Sequence, residues 1–275
     1  MKKIDLLQIC AVQHCNNICL GCSNSSPYAP KKEYAAKDYI PWLDILLKNG
    51  YAFDYLVLTG GEPFLHSSLE RLCSDLLNYN SSLSLSITTN GFWLTPKNLV
   101  MLRGIFSKLC RFVVSIYPNL RPQIEERMGI QSDKLKGYIK ELYPHLEIEI
   151  RDKYGSNRFM FPTPPSQPHE NTQPLCHMHH CISLLEDGRL ARCAPIAYSA
   201  NAPHMAFVQE SKNAFFPLQH WPEDLSVWLS RFPIDACFKC PFCRPARGEW
   251  RPIPNFKRRI IWEQETLVQM EGKCL

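Results

Sequence analysis

His14-Cys15-Asn16-Asn17-Ile18-Cys19-Leu20-Gly21-Cys22 decides how this 275-residue chain is read. Three thiols stand at C-x3-C-x2-C spacing, directly after an apolar run over residues 4–12. That run reads as a buried strand. Asn16, Asn17 and Gly21 suit a loop that curls tightly. In a β/α architecture such a loop lies at the carboxyl edge of the sheet, where reactive groups gather.

The neighbouring sequence carries the same pattern forward. Residues 34–47 have apolar positions at helical spacing and stop at Gly50. Residues 55–58 read as a strand, 68–77 as a helix and 83–88 as a strand stopping at Asn90-Gly91. Residues 96–109 read as a helix with Pro96 in its first turn, and 111–117 and 146–150 as further strands. Strands alternating with helices predict βαβ units and a parallel sheet. Residues 159–173 are proline-rich and aperiodic, which reads as a linker. Beyond it, residues 182–186 and 189–192 flank Asp187-Gly188, a type I′ hairpin signal. Residues 218–229 and 258–270 read as helices.

Composition narrows the function. Thirteen cysteines, clustered rather than scattered, with no sign of an oxidising compartment, favour metal over disulfides. Soft thiolates favour iron–sulfur centres or zinc. The net charge of +5 is mild. The densest basic run, Lys257-Arg258-Arg259, reads as a solvated helix face, so no nucleic-acid partner is expected. Residues 1–12 are too short for a signal peptide or a span, so a cytoplasmic protein without membrane contact is expected.

Three thiolates on one short arc can serve three irons of a [4Fe–4S] cubane and leave the fourth open to a small bidentate ligand. Structural zinc takes a fourth protein ligand instead. The loop resembles the signature of the radical S-adenosylmethionine (SAM) superfamily. The resemblance implies that Cys15, Cys19 and Cys22 hold a cluster whose open iron chelates SAM. Reductive cleavage of SAM there gives a 5′-deoxyadenosyl radical that abstracts a substrate hydrogen. Most members carry an aromatic residue just before the third cysteine, packed near the adenine; here it is Gly21.

Thr59-Gly60-Gly61-Glu62-Pro63 follows the second strand and is similar to the family's GGEP motif. The resemblance implies that Gly60, Gly61, Glu62 and Pro63 meet the SAM ammonium group. Glycines permit close backbone approach and a carboxylate answers a cation. Thr89, Asn90, Ser115 and Arg151, at strand ends or on the fifth strand, are further SAM-binding candidates. Asp152, Lys153 and Tyr154, just after that strand, are candidates for proton transfer by position.

The C-terminal cysteines form a second region. Cys176, Gly188 and Cys193 stand at C-x11-G-x4-C spacing, and Cys237, Cys240 and Cys243 follow as C-x2-C-x2-C. This resembles the twitch domain, the short relative of SPASM, and implies one auxiliary [4Fe–4S] cluster. By pattern its ligands are Cys176, Cys193, Cys237 and Cys240, with Cys181 and Cys243 competing for the same four places. A zinc site using His177, His179 or His180 is the alternative. Cys10, Cys73 and Cys110 read as small buried hydrophobes.

The expected fold is therefore α/β: a partial (β/α)6 barrel over residues 1–155, closed by a small cysteine-rich domain over residues 156–275. The expected activity is that of a radical SAM oxidoreductase or epimerase, acting on a sugar-like or aminoglycoside intermediate. Its partners would be a polyhydroxylated small molecule and a flavodoxin- or ferredoxin-type reductant. A maturase of ribosomally made peptides is a second reading, and a non-enzymatic zinc or electron-transfer protein a third.

Overall fold

The computed structural model describes residues 2–19, 22–152, 181–201, 208, 211–221, 223–231 and 234. Five strands open the chain: β1 (Lys2–Val12), β2 (Tyr51–Gly60), β3 (Leu85–Thr89), β4 (Arg111–Ile116) and β5 (Glu147–Asp152). Each pairs in parallel with the next. Helices α1 (Ile40–Lys48), α2 (Leu69–Tyr79), α3 (Pro96–Met101), α4 (Arg103–Phe106), α5 (Arg121–Met128) and α6 (Leu135–Leu142) fill the crossovers.

The sheet does not stop at β1. Strand β6 (Cys181–Leu184) pairs in parallel with its other side, Leu6 opposite Cys181 and Ile9 opposite Leu184. Then β7 (Arg189–Ala191) and β8 (Phe215–Pro217) continue antiparallel. Among the described residues the order is β5-β4-β3-β2-β1-β6-β7-β8, an open, parallel-rich sheet with no closure between its ends. The expected division at residue 155 falls between β5 and β6, inside this one sheet.

This position explains the composition of β1 from Ile9 to Val12; Lys2, Lys3 and Asp5 at its start are exposed. A strand flanked on both sides and covered on both faces must be apolar throughout. Leu7, Ile9, Ala11 and Val12 are wholly buried, and Cys10 nearly so. Cys73 is also buried, while Cys110 is only half-buried; its thiol donates to Leu85 O at 3.0 Å. Burial pushes the Cys10 and Cys73 thiols up to about 12, so neither ionises. Elsewhere in the core Phe106 meets Phe112 edge-on at 4.9 Å and Tyr143 stacked at 4.9 Å.

Several boundaries differ from the sequence reading. Strand β2 is longer than 55–58, because it runs in register with β1 from Tyr51 to Gly60. The helix expected over 96–109 breaks at Leu102, whose N–H closes α3 on Asn98 O before α4 begins. Helix α5 has a weak periodic signal, since only Ile124 and Met128 are buried in it. The hairpin turn is not type I′. Gly188 is left-handed (φ +79°), but Asp187 is not, and Gly188 N donates to Leu185 O at 3.1 Å. A wider turn ending in a left-handed glycine suits the twist of the strands equally well. A short helix, α7 (Ala194–Ala197), follows β7. The helix expected over 218–229 is α8 (Leu225–Ser230), with Asp224 as N-cap accepting from Ser226 N at 2.8 Å. Residues 258–270 lie outside the described residues.

Candidate active site

The cysteine loop leaves β1 and returns to it. Gln13 N donates to Lys32 O at 2.9 Å, Tyr34 N donates to Ala11 O at 3.0 Å, and Val12 and Glu33 form a bridge. The loop is thus pinned at its base. Within it Ser25 N donates to Cys22 O at 3.1 Å, and Ser25 takes a left-handed φ of 52°.

The end of β2 lies directly on this loop. Gly61 N donates to Val12 O at 2.6 Å and Glu62 N to His14 O at 3.0 Å. A Cβ on Gly61 would stand 1.6 Å from His14 O, and one on Gly60 2.3 Å from Val12 O. Only residues without side chains permit this approach. Gly61 thus lies against the backbone of the cysteine loop, and Gly60 against the end of β1. Asn24 Nδ2 also donates to Gly60 O.

Glu62 comes next and is 1% exposed. One carboxylate oxygen accepts from Thr89 Oγ1 at 2.6 Å and Phe64 N at 3.2 Å; the other accepts from Asn90 N at 2.7 Å. Pro63 starts the short 3-10 turn Pro63–Leu65, which delivers the Phe64 N–H. Burial pushes the Glu62 carboxyl up to about 7, against the pull of the three donors. A buried carboxyl whose described partners are neutral donors suits an incoming cation.

Asn90 bridges this carboxyl to the thiols. Its Nδ2 donates to Asn16 Oδ1 at 2.7 Å and to Cys15 Sγ at 3.6 Å. Cys15 Sγ also accepts from Asn17 N at 3.3 Å. From beyond the end of β4, Asn119 Nδ2 donates to Asn17 Oδ1 at 3.0 Å. Tyr117 follows the end of β4 and is half-buried. Burial raises its phenol far above the ordinary value, and the charges of Cys19, Cys22, Cys15 and Glu62 raise it further.

The structure thus brings together Cys15, Glu62, Thr89 and Asn90, with Cys19 and Cys22 on the same loop as Cys15. Ser115 is buried at the end of β4. Arg151 is engaged elsewhere, its Nε donating to Glu149 Oε1 at 2.6 Å in a ladder that also holds Arg111. Asp152 closes β5 with its backbone opposite Ile116. Lys153, Tyr154, Cys176, Cys237, Cys240 and Cys243 lie outside the described residues. Cys181 starts β6, and Cys193 is buried at the N-cap of α7. The β6–β7 ladder ends at Ser183 opposite Ala191, two residues short of each of these cysteines. Sequence reading missed Asn16, Asn17 and Asn119 as a clamp, and Tyr117. Their only signal was position, in the cysteine loop and just beyond β4.

The donor set suits a cluster. Cys15, Cys19 and Cys22 are thiols outside any disulfide, and Cys15 already faces two N–H donors. Around them Gln13 Oε1, Asn17 Nδ2 and Ser26 Oγ are buried without a partner among the described residues. Among those residues no three His, Cys, Asp or Glu groups stand close enough for one metal ion. A cubane, which takes each thiolate on a different iron, asks for a wider spread.

Residues 9–117 match the Radical SAM superfamily. The GTP 3′,8-cyclase of Nautilia profundicola is 31% identical over 156 residues, covering 56% of this chain and 48% of that protein. The GTP 3′,8-cyclase of Campylobacter jejuni strain RM1221 is 34% identical over 95 residues, covering 34% of this chain and 29% of that one. The chain thus spans about half the length of these curated relatives, or less. Among solved structures, BtrN in complex with AdoMet and 2-DOIA has a TM-score of 0.49 at 18% identity, covering 71% of this chain and 75% of that one. SuiB of Streptococcus suis bound to S-adenosylmethionine has a TM-score of 0.35 at 20% identity, covering 54% and 32%. The chain is thus similar to the radical SAM superfamily over residues 9–117.

Proposed function

We propose that this protein abstracts a hydrogen atom from a carbon of a hydroxylated small molecule, leading to oxidation or epimerisation there. The observation that carries the reading is the buried Glu62 carboxyl, joined through Asn90 to Cys15 of the three-thiol loop beyond the ends of β1 to β3. Cys15, Cys19 and Cys22 would hold a [4Fe–4S] cluster, and with SAM bound that group supplies the 5′-deoxyadenosyl radical. Glu62 receives the SAM ammonium group. Thr89, Asn90 and Phe64 hold the carboxylate so that it need not reorganise when the cation arrives. Tyr117 and the buried strand ends keep water from the site, which a carbon radical requires.

Proton transfer from the oxidised alcohol is assigned to Asp152, Lys153 or Tyr154, by their place after β5. An auxiliary cluster at the C-terminal cysteines would take the second electron. Cys181 and Cys193, two residues beyond the last pair of the β6–β7 ladder on adjoining segments, are candidates for its ligand set. A protein with both clusters contains about eight irons.

A second reading is favoured by the matched relatives. GTP 3′,8-cyclases carry in their name a bond made at the 3′ position of a nucleotide. Hydrogen abstraction from a sugar carbon is common to both readings, and they part at the fate of the resulting carbon radical.

The test uses anaerobically purified protein with SAM and a reductant. Candidate substrates are deuterated at their carbinol carbons: aminocyclitols, GTP and, for the peptide-maturase alternative, a ribosomal precursor peptide. Deuterium in the 5′-deoxyadenosine identifies the substrate class. Loss of two hydrogens from an aminocyclitol supports oxidation, and solvent deuterium gained at one carbon supports epimerisation. Deuterium transfer from GTP or the peptide alone contradicts the first reading.

A further inference from the structure

We infer that Asn90 is a positioning residue which sets the reduction potential of the cluster through an N–H···S hydrogen bond to Cys15. This deepens the reading above and rests on it. Its place at the end of β3 makes Asn90 a candidate for SAM contact, but its observed partners are different. Its side chain is 6% exposed, so it is not a solvent-facing strand end.

The orientation of the amide is determined by its partners. Asn90 Oδ1 accepts from Phe92 N at 2.9 Å, which fixes the oxygen on the side of its own turn. The Nδ2 group must then face the cysteine loop. It has two hydrogens and two acceptors there, Asn16 Oδ1 at 2.7 Å and Cys15 Sγ at 3.6 Å. The longer distance is ordinary for a donor to sulfur. Asn16 is held in turn beside Asn17, which Asn119 clamps at 3.0 Å. The donor is thus pre-set by a chain of amides reaching from β3 to β4.

A donor to a cysteine ligand stabilises the more negative, reduced form of an iron–sulfur cluster and raises its potential. The same residue gives its backbone N–H to Glu62 at 2.7 Å. Asn90 therefore joins the carboxylate that would take the SAM ammonium to the thiolate that would hold the cluster. Movement of either group on SAM binding is transmitted to the other through one rigid residue.

The test is an EPR-monitored redox titration of the anaerobically reconstituted full chain, without SAM. The comparison is with Asn90→Leu, which loses the donor at similar volume. A second variant, Asn90→Asp, keeps the acceptor for Phe92 and the backbone donor to Glu62 but has no N–H₂. The ratio of reduced to oxidised cluster at a fixed potential should fall about fivefold in Asn90→Leu, the effect of one neutral hydrogen bond. It should fall further in Asn90→Asp, and either variant that loads a cluster suffices for the comparison. A shift at unchanged iron content and EPR line shape distinguishes tuning from a loosened fold. A wild-type cluster with potentials unchanged in both variants overturns the inference and leaves the reading standing. A wild-type chain that holds no [4Fe–4S] cluster overturns the reading itself.

Discussion

At the scale of single residues, Glu62 gives the sharpest test. Its carboxyl stands at about 7, above the ordinary 4.5, because it is buried. The folded protein therefore holds this proton more tightly than the unfolded chain does. Its contribution is most favourable below pH 4.5 and is lost as pH rises to about 7. Without a bound cation, the ionised group costs the fold on the order of 3 kcal/mol. A bound ammonium group reverses the preference. SAM affinity should be full above about pH 7 and weaken about tenfold per pH unit below it, as read by calorimetric titration. Glu62→Gln should abolish that dependence and weaken SAM binding about ten- to hundredfold. A flat profile in the wild type would contradict the assignment. Gly61→Ala places a Cβ 1.6 Å from His14 O, backbone against backbone. It should cost more than about 3 kcal/mol in urea denaturation and prevent iron loading.

At the scale of elements, β6 is the informative one. Ile182 and Leu184 are buried, and β6 pairs with four residues of β1. Ile182→Ala should destabilise the protein by roughly 2–5 kcal/mol in chemical denaturation. A cost near zero would mean that β6 packs outside the core. How far such elements are legible in the sequence depends on their surroundings. The second half of β1 and strand β4 are clear, since burial on both faces forces an apolar run, and β3 is clear from the alternation Leu85-Ser86-Ile87. The limits of β2 are not, because pairing with β1, rather than local propensity, carries it back to Tyr51. Helix α5 lacks a signal because two apolar side chains anchor it. In the site, the thiols and Glu62 announce themselves by chemistry and spacing. Asn119 and Tyr117 acquire meaning only when strand order brings the end of β4 near the loop after β1. Arg151 pairs with an acid of its own strand, Glu149, a partner that strand alternation alone makes legible.

At the scale of the whole molecule, the cysteine-bearing hairpin is part of the same sheet as residues 9–117, the stretch similar to the radical SAM superfamily. A chain ended at residue 155 would strip β6 from β1 and expose a long apolar edge. Such an edge invites pairing with other chains. The truncated protein should aggregate on expression, as seen by size-exclusion chromatography, and a stable monomer would show that β1 needs no neighbour there. Among the described residues no helix is long and apolar enough to cross a membrane. The sheet holds the thiol loop, the buried carboxyl and the asparagine clamp at one edge. The most direct measurement is 5′-deoxyadenosine formation from SAM by the anaerobically reconstituted, reduced protein. The wild type should form it, and alanine at Cys15, Cys19 or Cys22 should abolish it together with the cluster's EPR signal. Undiminished 5′-deoxyadenosine from those variants would contradict the account.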